Sequence, residues 1–184
     1  KNLTQKERYI KEKKTLESKG YSKNNPLKFS LKYRNGGDQK KHMVAIQSML
    51  SKANIEVSLE ASEPKVLYSY LRTGDFQVGD AGWIADFNDA SNFLFLFESS
   101  SGPLNYGKYI NPNFDLLMEN AQKEIDTIKR ASILKNAEEI LMEDMPLAPI
   151  LFGISRSLVK EDISGWKENS SSFHGTRYLK RVTP

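Results

Sequence analysis

The chain has 184 residues, of which 27 are Lys or Arg, 23 are Asp or Glu, two are His and none is Cys, for a net charge of +4. That length suffices for one sizeable core, and the missing cysteines exclude disulfides, thiolate zinc sites and a cysteine nucleophile. The longest apolar run, residues 93–97, is far too short to span a bilayer.

Residues 6–19 read as a charged helix in which Tyr9, Ile10, Lys13 and Leu16 form a thin stripe and Gly20 supplies the stop. Residues 27–33 alternate Leu27, Phe29, Leu31 and Tyr33 with Lys28, Ser30 and Lys32, the pattern of a half-buried strand. Asn35-Gly36-Gly37-Asp38 predicts a turn and a cap, and the following helix carries Met43, Ile46, Met49, Leu50 and Ala53 on one face. Residues 55–59 form a second alternating strand, Glu63-Pro64 opens a helix through Leu67 and Leu71, and residues 76–79 form a third strand. Strand, helix, strand, helix, strand predicts a parallel βαβαβ unit with right-handed crossovers.

Beyond it, residues 91–98 read as a short apolar helix and residues 99–109 as a Gly/Ser/Pro loop. Asn111-Pro112 caps a helix lined by Phe114, Leu117, Met118, Ala121 and Ile125. Residues 127–143 form another, using Ala131, Leu134, Ala137 and Leu141, and Met145-Pro146 ends it. Residues 149–153 and 157–160 read as apolar strands. The tail from 163 to 184, with a serine run at 170–172, lacks a core pattern and needs another body to pack on.

The lysines of residues 1–41 alternate with glutamates, as on a solvated helix face. The competing reading is a basic interaction module that takes nucleic acid or an acidic partner through this segment. No Gly-rich phosphate loop and no Gly-x-Ser-x-Gly elbow occurs, and His174 has neither a nucleophile nor an orienting acid beside it in sequence. The reading is therefore not an enzyme, and no cofactor is expected. Asp80, Asp86 and Asp89 lack the alternating EF-hand spacing, so no metal site is expected either.

The loop at 75–90 holds the most chemistry. Small residues at Gly79, Ala81 and Gly82 let a ligand approach the main chain, so the carbonyls of Gly82 and Ile84 become candidate acceptors. Asp86 lies beyond the carboxyl end of the third strand, where ligands of open α/β sheets bind. A carboxylate among main-chain acceptors suits an ammonium group, which has three donors and no acceptor. Trp83 fits either a core or the apolar body or cation of a ligand. Equally, Asp86, Asn88 and Asp89 suit the end of a strand and the cap of the helix that starts near Ser91.

Several segments together carry a resemblance. Residues 21–33, the helix from 40 to 52, Gly74-Asp-Phe-Gln-Val-Gly-Asp-Ala-Gly-Trp-Ile-Ala-Asp-Phe-Asn-Asp89, Tyr109-Ile-Asn-Pro-Asn-Phe-Asp115, Met145-Pro-Leu-Ala-Pro-Ile150 and His174-Gly-Thr-Arg177 are similar to the C-terminal part of the periplasmic oligopeptide-binding proteins. These are the extracytoplasmic receptors of peptide ABC importers, within solute-binding family 5. The resemblance implies an α/β fold: the second lobe of a type II periplasmic-binding-protein fold, a βαβαβ mixed sheet flanked by helices, plus a C-terminal return segment. Residues 1–148 are then the second lobe. Residues 149–184 return through a hinge strand to a first lobe that this chain lacks.

It further implies a periplasmic protein, monomeric when full length, that clamps an oligopeptide between two lobes and delivers it to a membrane-embedded ABC importer permease, with no nucleic-acid partner. Asp86 matches the aspartate that pairs with the peptide α-ammonium. Gly82 and Ile84 match positions whose backbone pairs with the peptide like an added strand. Trp83, Asn88 and Asp80 complete the expected peptide-binding set. Three positions depart from the family: Ile84 stands where some members have cysteine, Asp80 where some have an arginine that helps receive a peptide carboxylate, and Pro64 where a tryptophan often walls a side-chain pocket. A chain that starts at Lys1 rather than Met reads as a processed product or a piece of a longer protein.

Overall fold

The computed structural model describes residues 3–154, 156–169 and 174–182. Two compact units make up the chain, Lys1–Gly82 and Trp83–Pro184.

The first unit opens with α1, Gln5–Ser18. Thr4 and Glu7 form a reciprocal capping box: the Glu7 N–H donates to Thr4 Oγ1 at 3.3 Å and the Thr4 N–H to Glu7 Oε2 at 2.7 Å. No residue of α1 is buried, in line with its sparse apolar stripe. Then follow β1 Leu27–Arg34, α2 Gln39–Ser51, β2 Ile55–Ser62, α3 Pro64–Thr73 and β3 Val78–Gly79. All three strands are parallel in the order β2-β1-β3, so the βαβαβ expectation holds. β1 and β2 pair over their full length, from Leu27 opposite Ile55 to Arg34 opposite Ser62.

Period two then sorts the side chains. Leu31, Tyr33 and Val57 are buried against Met43 of α2. In-register partners on the sheet form the ion pairs Lys28 to Glu56 at 3.0 Å and Lys32 to Glu60 at 3.4 Å. Pro64 sits in the first turn of α3, whose Leu67 and Leu71 are buried.

Three details differ from the sequence reading. Asp38 makes no side-chain cap to α2, its backbone lying outside the extended region a cap uses, and its carboxylate instead meets Lys41 at 2.7 Å. Met49 is half exposed rather than core. The third strand is two residues long, not four, because the side-chain Oε1 of Gln77 accepts the Ser30 N–H at 2.7 Å where a longer ladder would run. Gly79 is favoured where it stands: a Cβ there would come within 2.3 Å of the Leu71 side-chain end, which would have to move.

The second unit is helical. α4, Ser91–Leu94, runs into a 3-10 turn at Phe95–Phe97 and another at Ser99–Leu104, and is followed by α5 Pro112–Lys123 and α6 Thr127–Asp144. Leu94, Phe114, Met118, Ala121, Leu134, Ala137 and Leu141 form the core between them. Asn111 caps α5, its Oδ1 accepting the N–H groups of Asn113 and Phe114 at 3.0 and 3.2 Å. Asp126 caps α6 in the same way through Ile128 and Lys129 at 2.9 and 3.0 Å. That second cap interrupts the apolar periodicity, so Ile125 falls in the connection and is 93% exposed rather than on the packed face. Ala131 is exposed as well. The loop expected at 99–109 is held by buried Asn105, whose side chain donates to the Tyr109 carbonyl at 2.8 Å and accepts the Tyr109 N–H at 3.0 Å.

The segments 149–153 and 157–160 are not strands. Ile150, Leu151, Phe152, Ile154 and Leu158 are each more than half exposed. Among the described residues no neighbouring strand takes up their main chain, which removes the condition for pairing. The tail instead forms β4 Ile163–Ser164 and β5 Lys180–Arg181, an antiparallel pair, with Arg181 on Asp162 at 2.7 Å. The serine run at 170–172 lies outside the described residues.

Candidate functional site

The residues singled out in the loop divide between the two units. In the first, Asp80 follows β3 directly and its N–H donates to the Lys32 carbonyl at 2.8 Å. Its carboxylate accepts Nε2 of Gln39 at 2.8 Å. Gln39 begins α2, a helix with no acidic residue in its first turn, so Asp80 places its negative charge where the helix dipole favours one. Gln39 Oε1 in turn meets His42 Nδ1 at 3.2 Å. Asp80 therefore has a partner and a structural task within its unit.

Gly82 ends that unit, exposed. A Cβ there would meet nothing within 4 Å, and its backbone is outside the left-handed region. Nothing in the fold requires glycine at this position, in contrast to Gly79.

In the second unit Trp83 is half-buried. Its indole N–H donates to Asn92 Oδ1 at 3.0 Å, and its ring meets Phe95 edge-on with centroids 5.6 Å apart. Both sequence readings of Trp83 thus concern a side chain anchored inside its own unit. The main-chain groups of Trp83, Ile84 and Ala85 hydrogen-bond to no other described residue, and Ile84 is 89% exposed.

The Asp86 N–H donates to the same Asn92 oxygen at 3.2 Å. Its carboxylate is exposed and makes no hydrogen bond or ion pair among the described residues. Asn88 is likewise exposed and without a side-chain partner among them.

Asp89 behaves differently. Its Oδ1 accepts the Ser91 N–H at 2.8 Å and Arg130 Nη2 at 2.9 Å, and its Oδ2 faces Arg130 Nε at 3.3 Å. Arg130 also donates to the Ala121 carbonyl and the Ser91 hydroxyl. Of the three residues read as possible caps, Asp89, one position before the N-cap Ala90, accepts the first N–H of α4, while Asp86 and Asn88 accept none there.

The Arg130 guanidinium, with help from Ser91, holds the Asp89 carboxyl down at about 2, against an ordinary 3.8. Because the folded value lies below the unfolded one, the stabilisation is present above about pH 4 and is lost as pH falls through the interval between the two values. Asp89→Asn is expected to cost about 1–2 kcal/mol at pH 7, after discounting the shift for partial exposure. It should also flatten the acid limb of stability between about pH 4 and 2. Thermal melts across that range check it, and parallel acid limbs for both proteins would refute it.

Ala85, Asp86, Phe87, Asn88, Asp89, Ala90 and Phe93 line an open depression of about 240 Å³. That is below the ~300–1,000 Å³ usual for a pocket enclosing a small ligand. Among the described residues no three His, Asp or Glu side chains gather as metal ligands, and no helix is long and apolar enough to cross a membrane. His174 lies flat on Trp166 with ring centroids 3.7 Å apart. Sequence reasoning missed Asn92 and Arg130. For Asn92 the available signal was a lone amide directly before the apolar run Phe93-Leu94-Phe95, one step after Ser91. For Arg130, 41 positions from Asp89, there was none.

Known proteins are similar to this chain in sequence and in fold. The oligopeptide-binding protein OppA of Bacillus subtilis is 38% identical over 154 residues, which cover 83% of this chain and 28% of that protein. The periplasmic oligopeptide-binding protein OppA of Haemophilus influenzae is 38% identical over 164 residues, covering 88% and 30%. The crystal structure of Haemophilus influenzae OppA in complex with RPPGFSPFR superposes with a TM-score of 0.82 at 37% identity, over 96% of this chain and 35% of that one. The Escherichia coli murein tripeptide binding protein MppA superposes at 0.86 and 30% identity, over 100% and 36%. The α/β fold is thus that of a portion of the periplasmic binding proteins, and the chain spans about 30% of the length of the curated relatives it matches. Residues 2–105, which hold the whole βαβαβ unit and the loop with Asp86, match the model of the bacterial extracellular solute-binding proteins, family 5 Middle, and the chain belongs to that family.

Proposed function

We propose that the protein containing this chain is the extracytoplasmic binding component of a peptide ABC importer, which captures oligopeptides without transforming them and hands them to a membrane permease. One observation carries the reading. Of the three carboxylates that follow β3, Asp80 and Asp89 are tied to Gln39 and Arg130, while Asp86 is exposed and unpaired among the described residues.

Asp86 pairs with the peptide α-ammonium. The unbonded main chain at Ile84, and at the neighbouring Gly82, supplies hydrogen bonds of the kind an added strand makes. Recognition through main chain and terminus makes few demands on side chains, which suits a receptor for peptides of mixed sequence. Trp83 and Asn88 border the amine position. Asp80 lends its charge to α2 and adds a negative potential to its end of the sheet. The relatives named for oligopeptide binding, one of them holding a nonapeptide, support this class of ligand.

Residues 1–148 act as the second lobe and 149–184 as the return to the first. The exposed apolar side chains from Ile150 to Leu158 suit a segment that packs on a further body.

The test is titration calorimetry of the full-length protein with a short peptide and its N-acetylated form. The free peptide is expected to bind at least about tenfold more tightly, since acetylation removes one charge-assisted pair. Equal affinities would sink the amine clamp. Binding of nucleic acid with no binding of peptide would favour the basic-module reading instead.

A further inference from the structure

The geometry points to Asn92 as the positioning residue of the amine site: its single side-chain oxygen fixes both ends of the stretch from Trp83 to Asp86 and so sets where the Asp86 carboxylate is presented. The inference rests on the proposed role of Asp86.

Asn92 is 4% exposed, one of two buried polar residues among those described. It occupies the second position of α4, between Ser91 and the apolar Phe93 and Leu94. Its Oδ1 takes the indole N–H of Trp83 at 3.0 Å and the main-chain N–H of Asp86 at 3.2 Å. A carbonyl oxygen has two lone pairs, and both are used. The two donors bracket Ile84 and Ala85, whose own main-chain groups bond to nothing described. One buried atom thus holds a stretch that has no ladder or helix of its own to hold it.

The half-buried Trp83 indole N–H asks for an acceptor at this place, but the Asp86 N–H does not. Asp86 is exposed, so water can serve its N–H at little cost, whereas burying the Asn92 amide carries a desolvation penalty that its bonds must offset. A leucine of similar volume would fill the same space and leave the Trp83 indole N–H to find another acceptor. What the amide adds is a fixed direction for the Asp86 backbone, from which its carboxylate projects.

The anchor of the anchor is also present. Asp89 clamps the N–H of Ser91, next to Asn92, and is itself held by Arg130, whose third donor reaches the Ala121 carbonyl at the end of α5. The amine site is thereby tied to the α5/α6 core through groups that touch no ligand.

The experiment compares wild type, Asn92→Leu, Asp86→Ala and the double variant of the full-length protein, each titrated with a short peptide and its N-acetylated form. Expected is a loss of about tenfold for the free peptide in Asn92→Leu with little change for the acetylated one, so that the ratio between them collapses. The double variant should then discriminate no less than Asp86→Ala alone, because both changes remove one function.

Equal losses for both peptides would show that Asn92 only supports the fold, and an unchanged ratio would show that Asp86 needs no positioning; either overturns the inference while leaving the amine clamp intact. A wild type that fails to distinguish the two peptides removes the clamp, and Asn92's role with it. Should Asn92→Leu not fold, hydrogen exchange on the wild type decides: the Asp86 amide is expected to be protected at least about tenfold relative to the amides of Ile84 and Ala85, and equal exchange overturns the inference.

Discussion

Alanine at Asp86 is expected to weaken binding of a free peptide by about 2–5 kcal/mol, the range for removing one partner of a desolvated charge pair, and to leave stability unchanged within ~0.5 kcal/mol. The two halves of this expectation have one cause. In the free protein the carboxylate is exposed and touches no described partner, so its removal breaks no interaction within the fold. In the proposed complex it faces an ammonium whose three donors have few other acceptors. Asp89→Asn should do the reverse, costing stability through the lost Arg130 ion pair while sparing the contact to peptide. Calorimetry and thermal melts on the two variants give a crossed pattern if the assignment holds. A large stability loss in Asp86→Ala with undiminished peptide affinity would reverse the roles of the two aspartates.

The largest stability effect is expected at Phe114. Its side chain is fully buried, it meets Tyr109 edge-on at 5.6 Å, and it packs among Met118, Leu134 and Ala137 in the core of the second unit. Phe114→Ala removes the ring and leaves a cavity that helices capped at Asn111 and Asp126 cannot readily close, for a cost of about 3–5 kcal/mol. That is a large fraction of the ~5–15 kcal/mol a domain has in total. Leu116, two positions along the same helix, is 54% exposed, and Leu116→Ala is expected to cost less than about 1 kcal/mol. Urea titrations followed by circular dichroism separate the two. Similar midpoints for both variants would mean that α5 does not bury the face described.

Much of the fold was legible because its signals are local. Alternation over 27–33 and 55–59 places two strands, and Pro64 and the Asn111-Pro112 pair place helix starts. The errors share one origin. Ile125 and Ala131 fit a helical period but sit where a cap intervenes or where no neighbour packs. The apolar stretches at 149–153 and 157–160 have strand composition, yet a strand exists only where another chain segment accepts its hydrogen bonds. β3 is shorter than its pattern because the Gln77 side chain takes the place of a backbone partner at Ser30.

For the site, the sequence by itself determined which residue types the loop carries, the small residues that bare its main chain, and the family to which the surrounding motifs are similar. Only the tertiary structure decided which of the three carboxylates after β3 is free. Asp80 and Asp89 each find their partner 41 positions away, in Gln39 and Arg130, and a pairing at that separation leaves no trace in local periodicity. Asn92 was hidden for the same reason: an amide at the edge of an apolar run reveals its two donors only once the chain has folded back to bring Trp83 and Asp86 onto one oxygen.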